Sequence, residues 1–124
     1  MKFAATDSTL DRWAIFVSGL CVVHCLAIPA TVVLLPAISD PLAREQTLTH
    51  WLLLAVALPI SALALGSGYR RHRSLGTLIL GIVGLVLLTL GVAHWLGEDL
   101  EVPLTVAGGI ALIIAHLLNL RHRH

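Results

Sequence analysis

Four stretches of this chain, residues 13–39, 46–69, 74–97 and 102–120, contain no Asp, Glu, Lys or Arg. They run for 27, 24, 24 and 19 residues. An α-helix rises about 1.5 Å per residue, so crossing a hydrocarbon core about 30 Å thick takes roughly 20 apolar residues. Each stretch is long enough to span, the last one barely. Backbone amides in lipid find no water, so uniformly apolar segments of this length are helices. A soluble bundle would need a polar face on every helix, and these stretches have none. Charged residues make up 12% of the chain, about half the usual share of a soluble domain. The expected fold class is an all-α membrane protein of one domain. Its four transmembrane helices, roughly 11–35, 46–69, 75–96 and 103–120, pair as two hairpins. Helix 1 should end near Pro36, before a loop punctuated by Asp40 and Pro41, and helix 4 should begin near Pro103.

Four crossings place the N-terminus, the 70–73 turn and the C-terminus on one side. That side collects Lys2, Arg12, Arg70, Arg71, Arg73, Arg121 and Arg123, against Arg44 alone on the other. Basic residues in short flanks stay inside, so both termini should be cytoplasmic (N-in/C-in) in a bacterial inner membrane. The opposite side carries Asp40, Glu45, Glu98, Asp99 and Glu101. Asp7 and Asp11 precede a first run too long for a cleaved signal, whose apolar region is typically about 7–15 residues. Net charge is only +1, with no basic patch for nucleic acid beyond the short flanks. On helix 3, Thr77, Gly81, Gly84 and Gly91 form a small-residue stripe, the usual device for close helix packing.

Both cysteines fall in one charge-free segment, GLCVVHCLAIP at 19–29. On a helix Cys21 and Cys25 share a face, with His24 beside them, all within an arc of about 100°. Ser18 and Pro29 lie on the same side, and Pro29 should kink the helix by rejecting the Cys25 carbonyl. Counting from Arg12, the group sits about 13–20 Å along the helix, near mid-membrane. Thiolates and imidazole are ligands for soft and borderline ions, namely Hg(II), Cu(I), Zn(II) and Cd(II). Two sulfurs suit a linear two-coordinate ion, whereas Zn(II) wants four donors and would need help from another helix, such as His116. The plain alternative is two small apolar cysteines and a structural His24. Ionisable groups inside a membrane favour function.

The remaining histidines divide by depth. His24, His50, His72, His94 and His116 recur every 22–26 residues, a spacing that mostly reports the length of one helix and one turn. His50 and His94 fall at the outer rim. With Glu98, Asp99 and Glu101 they form a mouth for a divalent cation, or else they anchor helix ends beside Trp51 and Trp95. His72 belongs to the basic turn. His116 and Asn119 lie one turn apart near the inner end of helix 4, as exit ligands or as a polar packing pair.

DRWAIFVSGLCVVHCLAIP (11–29), HWLLLAVALPISALALGSGYRRHRS (50–74) and AHLLNLR (115–121) together resemble the MerC family of inner-membrane mercuric-ion transport proteins. The resemblance implies four helices, cytoplasmic termini and Hg(II) accepted by Cys21 and Cys25, then passed inward. The chain departs from the family pattern by lacking a second cysteine pair. Its tail is Arg121-His122-Arg123-His124, which offers nitrogen in place of sulfur and makes zinc or copper import the alternative.

The expected function is uptake of a soft or borderline metal ion, with Cys21, Cys25, His24, His50, His94 and His116 as site residues. The ion is cargo, and no permanently bound cofactor is expected. The partners are the ion, the bilayer, a periplasmic metal donor and a cytosolic acceptor, and a homo-oligomer would enlarge a pathway that 124 residues wall off poorly. Rival readings are a non-transporting metal sensor or accessory subunit, and a haem protein using His50 and His94. No activated nucleophile with a base at workable spacing appears, so an enzyme is not expected.

Overall fold

A computed structural model describes the backbone of residues 2–35, 37 and 39–122, and the side chains of 8–28, 30, 31, 34, 35, 37 and 48–122. Among the described residues the order is α1 (Lys2–Leu34), α2 (Ser39–His72), α3 (Leu75–Val92) and α4 (Glu101–Arg121), with a 3-10 turn at Glu98–Leu100 before α4. Each helix packs on its two neighbours in the cyclic order α1, α2, α3, α4, and the α3–α4 contact is the most extensive. Four segments are long and apolar enough to cross a membrane: Ser8–Ile28, Leu48–His72, Leu75–Val92 and Glu98–Arg121.

The helices exceed the uncharged runs. α1 begins at Lys2 instead of near residue 11, and α2 at Ser39 instead of 46. A charge-free run measures what lipid accepts, not where hydrogen bonding starts. Pro41 is the third residue of α2, inside the first turn, where a missing N–H leaves no bond unmade. The expected loop there is therefore a helix start. α3 stops at Val92, short of 96. Its chain turns through His94 in a left-handed conformation (φ 57°) and Gly97 (φ 104°) before α4, a backbone region that only glycine adopts freely. α1 runs on as helix through Pro29 to Leu34, and the side chains of Lys2, Pro29, Asp40, Arg44 and Glu45, with residues 123 and 124, lie outside the described residues.

The small-residue stripe packs as expected. Thr77, Gly81, Gly84 and Gly91 are all buried, and Gly84 meets Gly108 of α4 backbone to backbone. A Cβ on Gly84 would stand 3.0 Å from the Gly108 carbonyl oxygen, and one on Gly108 would stand 2.7 Å from that of Gly84. This crossing holds α4 tightly against α3 while its other side faces α1 and α2. The outward faces are apolar, with Phe16, Val23, Leu52, Ile79, Val86 and Ile114 exposed, as a lipid-facing surface requires.

Candidate metal site

Most of the buried polar residues of the spans form two clusters, one toward each end of the bundle.

The first cluster centres on Cys25, which is fully buried. Its Sγ lies 3.9 Å from Cys21 Sγ, 3.1 Å from His50 Nε2 and 3.1 Å from Thr105 Oγ1. One thiol proton serves this whole set of neighbours. Thr105 donates its own hydroxyl to the Glu101 carbonyl at 2.8 Å, one turn back along α4. His50 donates from Nδ1 to Glu101 Oε1 at 2.6 Å, and His94 donates from Nε2 to Glu101 Oε2 at 2.7 Å. A chain of hydrogen bonds therefore runs from the thiols through His50 and Glu101 to His94, whose side chain is 29% exposed. The left-handed backbone at His94 bends its imidazole back to Glu101, and strain of this kind gathers at functional sites.

His50 was expected at the rim, either as a mouth ligand or as a headgroup anchor. It is 1% exposed and joined to Cys25, so the anchor reading fails for it. The reason is that α2 starts seven residues earlier than the uncharged run, which carries His50 inside the bundle. Trp51 and Trp95 are exposed, as belt residues should be. Of the three acidic candidates, Glu101 is brought in, while Glu98 and Asp99 are exposed. His24 makes no hydrogen bond to either cysteine. Its ring stands edge-on to His50 with centroids 5.1 Å apart, and its buried Nε2 has no partner among the described residues.

The second cluster lies at the end that bears the 70–73 turn and the C-terminus, where the His72 and His122 rings come within 6.4 Å. His116 donates from Nδ1 to Asp11 Oδ1 at 2.7 Å, and its Nε2 is 3.1 Å from Ser61 Oγ. Asn119 donates to both Asp11 oxygens, at 2.9 and 2.8 Å, and to the Ala64 carbonyl at 3.1 Å. That His116 and Asn119 share a face of α4 was readable from their spacing, and both reach Asp11. Asp11, Ser61, Thr105 and the role of Glu101 were not readable. Asp11 had been noted only as a charge preceding the first apolar run. The signal that would have found it is its register on α1, since Asp11, Ala14, Ser18, Cys21 and Cys25 follow steps of three and four and are all buried.

A family model described as MerC mercury resistance protein matches residues 11–121. The chain belongs to the MerC family. Membership and the four apolar helices make it a multi-pass membrane protein of a mercury-resistance family, transporter-like and not enzymatic in kind. Comparisons with curated proteins and with solved structures found no match.

In this MerC-family chain Cys25, His50 and Glu101, far apart in sequence, stand as thiol, imidazole and orienting carboxylate across 3.1 and 2.6 Å. That is the arrangement used to activate cysteine nucleophiles. A thiolate is equally the species that binds metal, so the same geometry prepares a ligand. Among the described residues, no three His, Cys, Asp or Glu already encircle an ion position. The donors are bonded to one another instead, and an ion would have to enter between them.

Proposed function

We propose that this chain carries Hg(II), or an ion of similar softness, across a bacterial cytoplasmic membrane with both termini inside. Capture takes place at Cys21 and Cys25. The observation that carries this reading is the hub at Cys25, where a buried thiol touches a second thiol and an imidazole and connects through Glu101 to the partly exposed His94. An ion arriving from outside meets His94 and Glu101 first, where carboxylate and imidazole draw in a cation. It then exchanges these donors for the two sulfurs. Each thiol releases a proton on binding, and His50, held by Glu101, receives the proton of Cys25. His24 Nε2 supplies a further nitrogen on the same face.

The sulfur spacing supports a second ion class on the same scaffold. With metal–sulfur bonds of about 2.3 Å, a linear S–M–S unit needs sulfurs about 4.6 Å apart and a tetrahedral one about 3.8 Å. The observed 3.9 Å suits a bent geometry with the unpartnered His24 Nε2 as a further donor, which favours Zn(II) or a three-coordinate ion. Linear Hg(II) requires the thiols to separate by about 0.7 Å on these bond lengths, within the reach of side-chain rotation. The haem reading is not carried further, because both candidate axial histidines are bonded to one carboxylate.

Proteoliposome uptake of Hg(II), Zn(II) and Cu(I) tests the reading, with wild type beside Cys21→Ser/Cys25→Ser. Cysteine-dependent Hg(II) accumulation supports it, and cysteine-dependent Zn(II) or Cu(I) flux alone moves it to the second class. Binding without accumulation would make the chain a sensor or accessory subunit and sink the transport reading.

A further inference from the structure

The two thiols of the first cluster are held unequally. Cys25 Sγ has His50 Nε2 of α2 and Thr105 Oγ1 of α4 each at 3.1 Å. Among the described residues, the one polar contact of Cys21 Sγ is Cys25 Sγ at 3.9 Å. Displacing Cys25 would break bonds to two other helices, whereas displacing Cys21 loosens a single long contact.

Beside Cys21 lies a small cavity of about 10 Å³, walled by Ser18 of α1, Leu54 and Ala57 of α2 and Leu88 of α3. Protein interiors are close-packed, so a space of this kind is destabilising and needs a reason. Its walls are mostly apolar and offer a water little to bond to. Ser18 is 1% exposed, and its hydroxyl has no partner among the described residues. Buried hydroxyls are nearly always bonded, so this one needs a reason too. Ser18 precedes Cys21 by one turn on the same face of α1. Cys25 follows Cys21 by one turn, so a Cys21 sulfur that moves away from Cys25 along the helix moves toward Ser18.

We propose that this cavity is the space into which Cys21 swings when a two-coordinate ion is captured, with the Ser18 hydroxyl donating to the displaced sulfur. Ala57, whose side chain ends at Cβ, keeps the space open and is the specificity-determining residue of the site. The inference rests on the reading above that the two thiols capture the ion. A tetrahedral ion needs sulfurs about 3.8 Å apart, a separation already present at 3.9 Å. A linear one needs about 4.6 Å on the same bond lengths. The missing ~0.7 Å takes roughly 25° of rotation at Cys21, within the ~30° that still belongs to one rotamer. Cys25 stays in place on His50 and Thr105. The cavity therefore admits linear ions to a pair of thiols that is already spaced for tetrahedral ones.

The test uses the full-length protein in detergent. Hg(II) affinity is measured in competition with a small dithiol and Co(II) affinity by visible absorption, the first standing for linear ions and the second for tetrahedral ones. Wild type should bind both through sulfur, with two-coordinate Hg(II) in X-ray absorption and a sulfur-to-cobalt band for Co(II). Ala57→Val, which fills the cavity, should weaken Hg(II) binding roughly 10–100-fold, the usual cost of disturbing the surroundings of a metal site, and leave Co(II) affinity unchanged. Ser18→Ala should weaken Hg(II) binding roughly tenfold, again sparing Co(II). It adds no bulk, so it decides the matter if Ala57→Val does not fold. Unchanged Hg(II) affinity in either folded variant, or parallel loss of Hg(II) and Co(II), would overturn the inference. Wild type without any sulfur-bound ion would instead sink thiol capture itself. Wild type that holds both ions through sulfur, beside variants that fail the contrast, would sink only the role of the cavity.

Discussion

The two polar clusters are built from the same three helices, α1, α2 and α4, yet differ in chemistry and in access. The cluster at Cys25 contains sulfur and opens outward through Glu101 and His94, whose side chains are 13% and 29% exposed. The cluster at Asp11 has no sulfur and is closed, with Asp11 and His116 both at 0%. Each joins an imidazole to a carboxylate at close to 2.7 Å or less. The difference is thus not pairing but what else the imidazole touches: a thiol in one case, a hydroxyl in the other.

The comparison breaks most directly at the hub. Cys25→Ser should lower Hg(II) accumulation in proteoliposomes by roughly 100-fold or more, while Cys21→Ser leaves a measurable residue, because Cys25 alone touches His50 and Thr105. Equal loss in both would mean that the hub has no special place. Asp11→Ala should cost about 3–5 kcal/mol in thermal or denaturant unfolding, since it leaves His116 and Asn119 buried without their acceptor. A stable Asp11→Ala protein would show that the closed cluster does not hold the helices together. Glu101→Gln should cut uptake roughly 10–100-fold with little change in fold, because it supports His50 and His94 without touching sulfur. Gly108→Ala should destabilise the bundle by about 1–3 kcal/mol by forcing α3 and α4 apart, with both clusters weakened together through α4. Ser18→Ala should have the smallest effect on stability, within about 1 kcal/mol of zero, because it removes a hydroxyl that has no bond to lose.

Much of the molecule was legible before any coordinates. Chain regions without charge marked the spans, because lipid excludes charge whatever the tertiary fold. The face shared by Cys21 and Cys25 and the small-residue stripe on α3 followed from helical periodicity, which depends only on the local backbone. What lay between helices was not legible. The bonds from Cys25 to His50 and to Thr105 join residues 25 and 80 positions apart, and that from His116 to Asp11 joins residues 105 apart. Such partnerships depend on how the helices are rotated and how far each extends, and neither quantity is written in a run of apolar residues. His50 was placed at the rim because the uncharged run began nearby, yet α2 continues through that charge to Ser39. Asp11 entered only as a charge of the leader, ahead of the first apolar run. The tertiary structure made it a buried carboxyl by setting His116 and Asn119 of α4 against it. Local sequence therefore determined the helices and the thiol pair, through solvation and periodicity. Only the packing of the bundle decided which carboxylate, imidazole and hydroxyl each thiol or anion would meet, since those contacts arise from three separate helices brought into register.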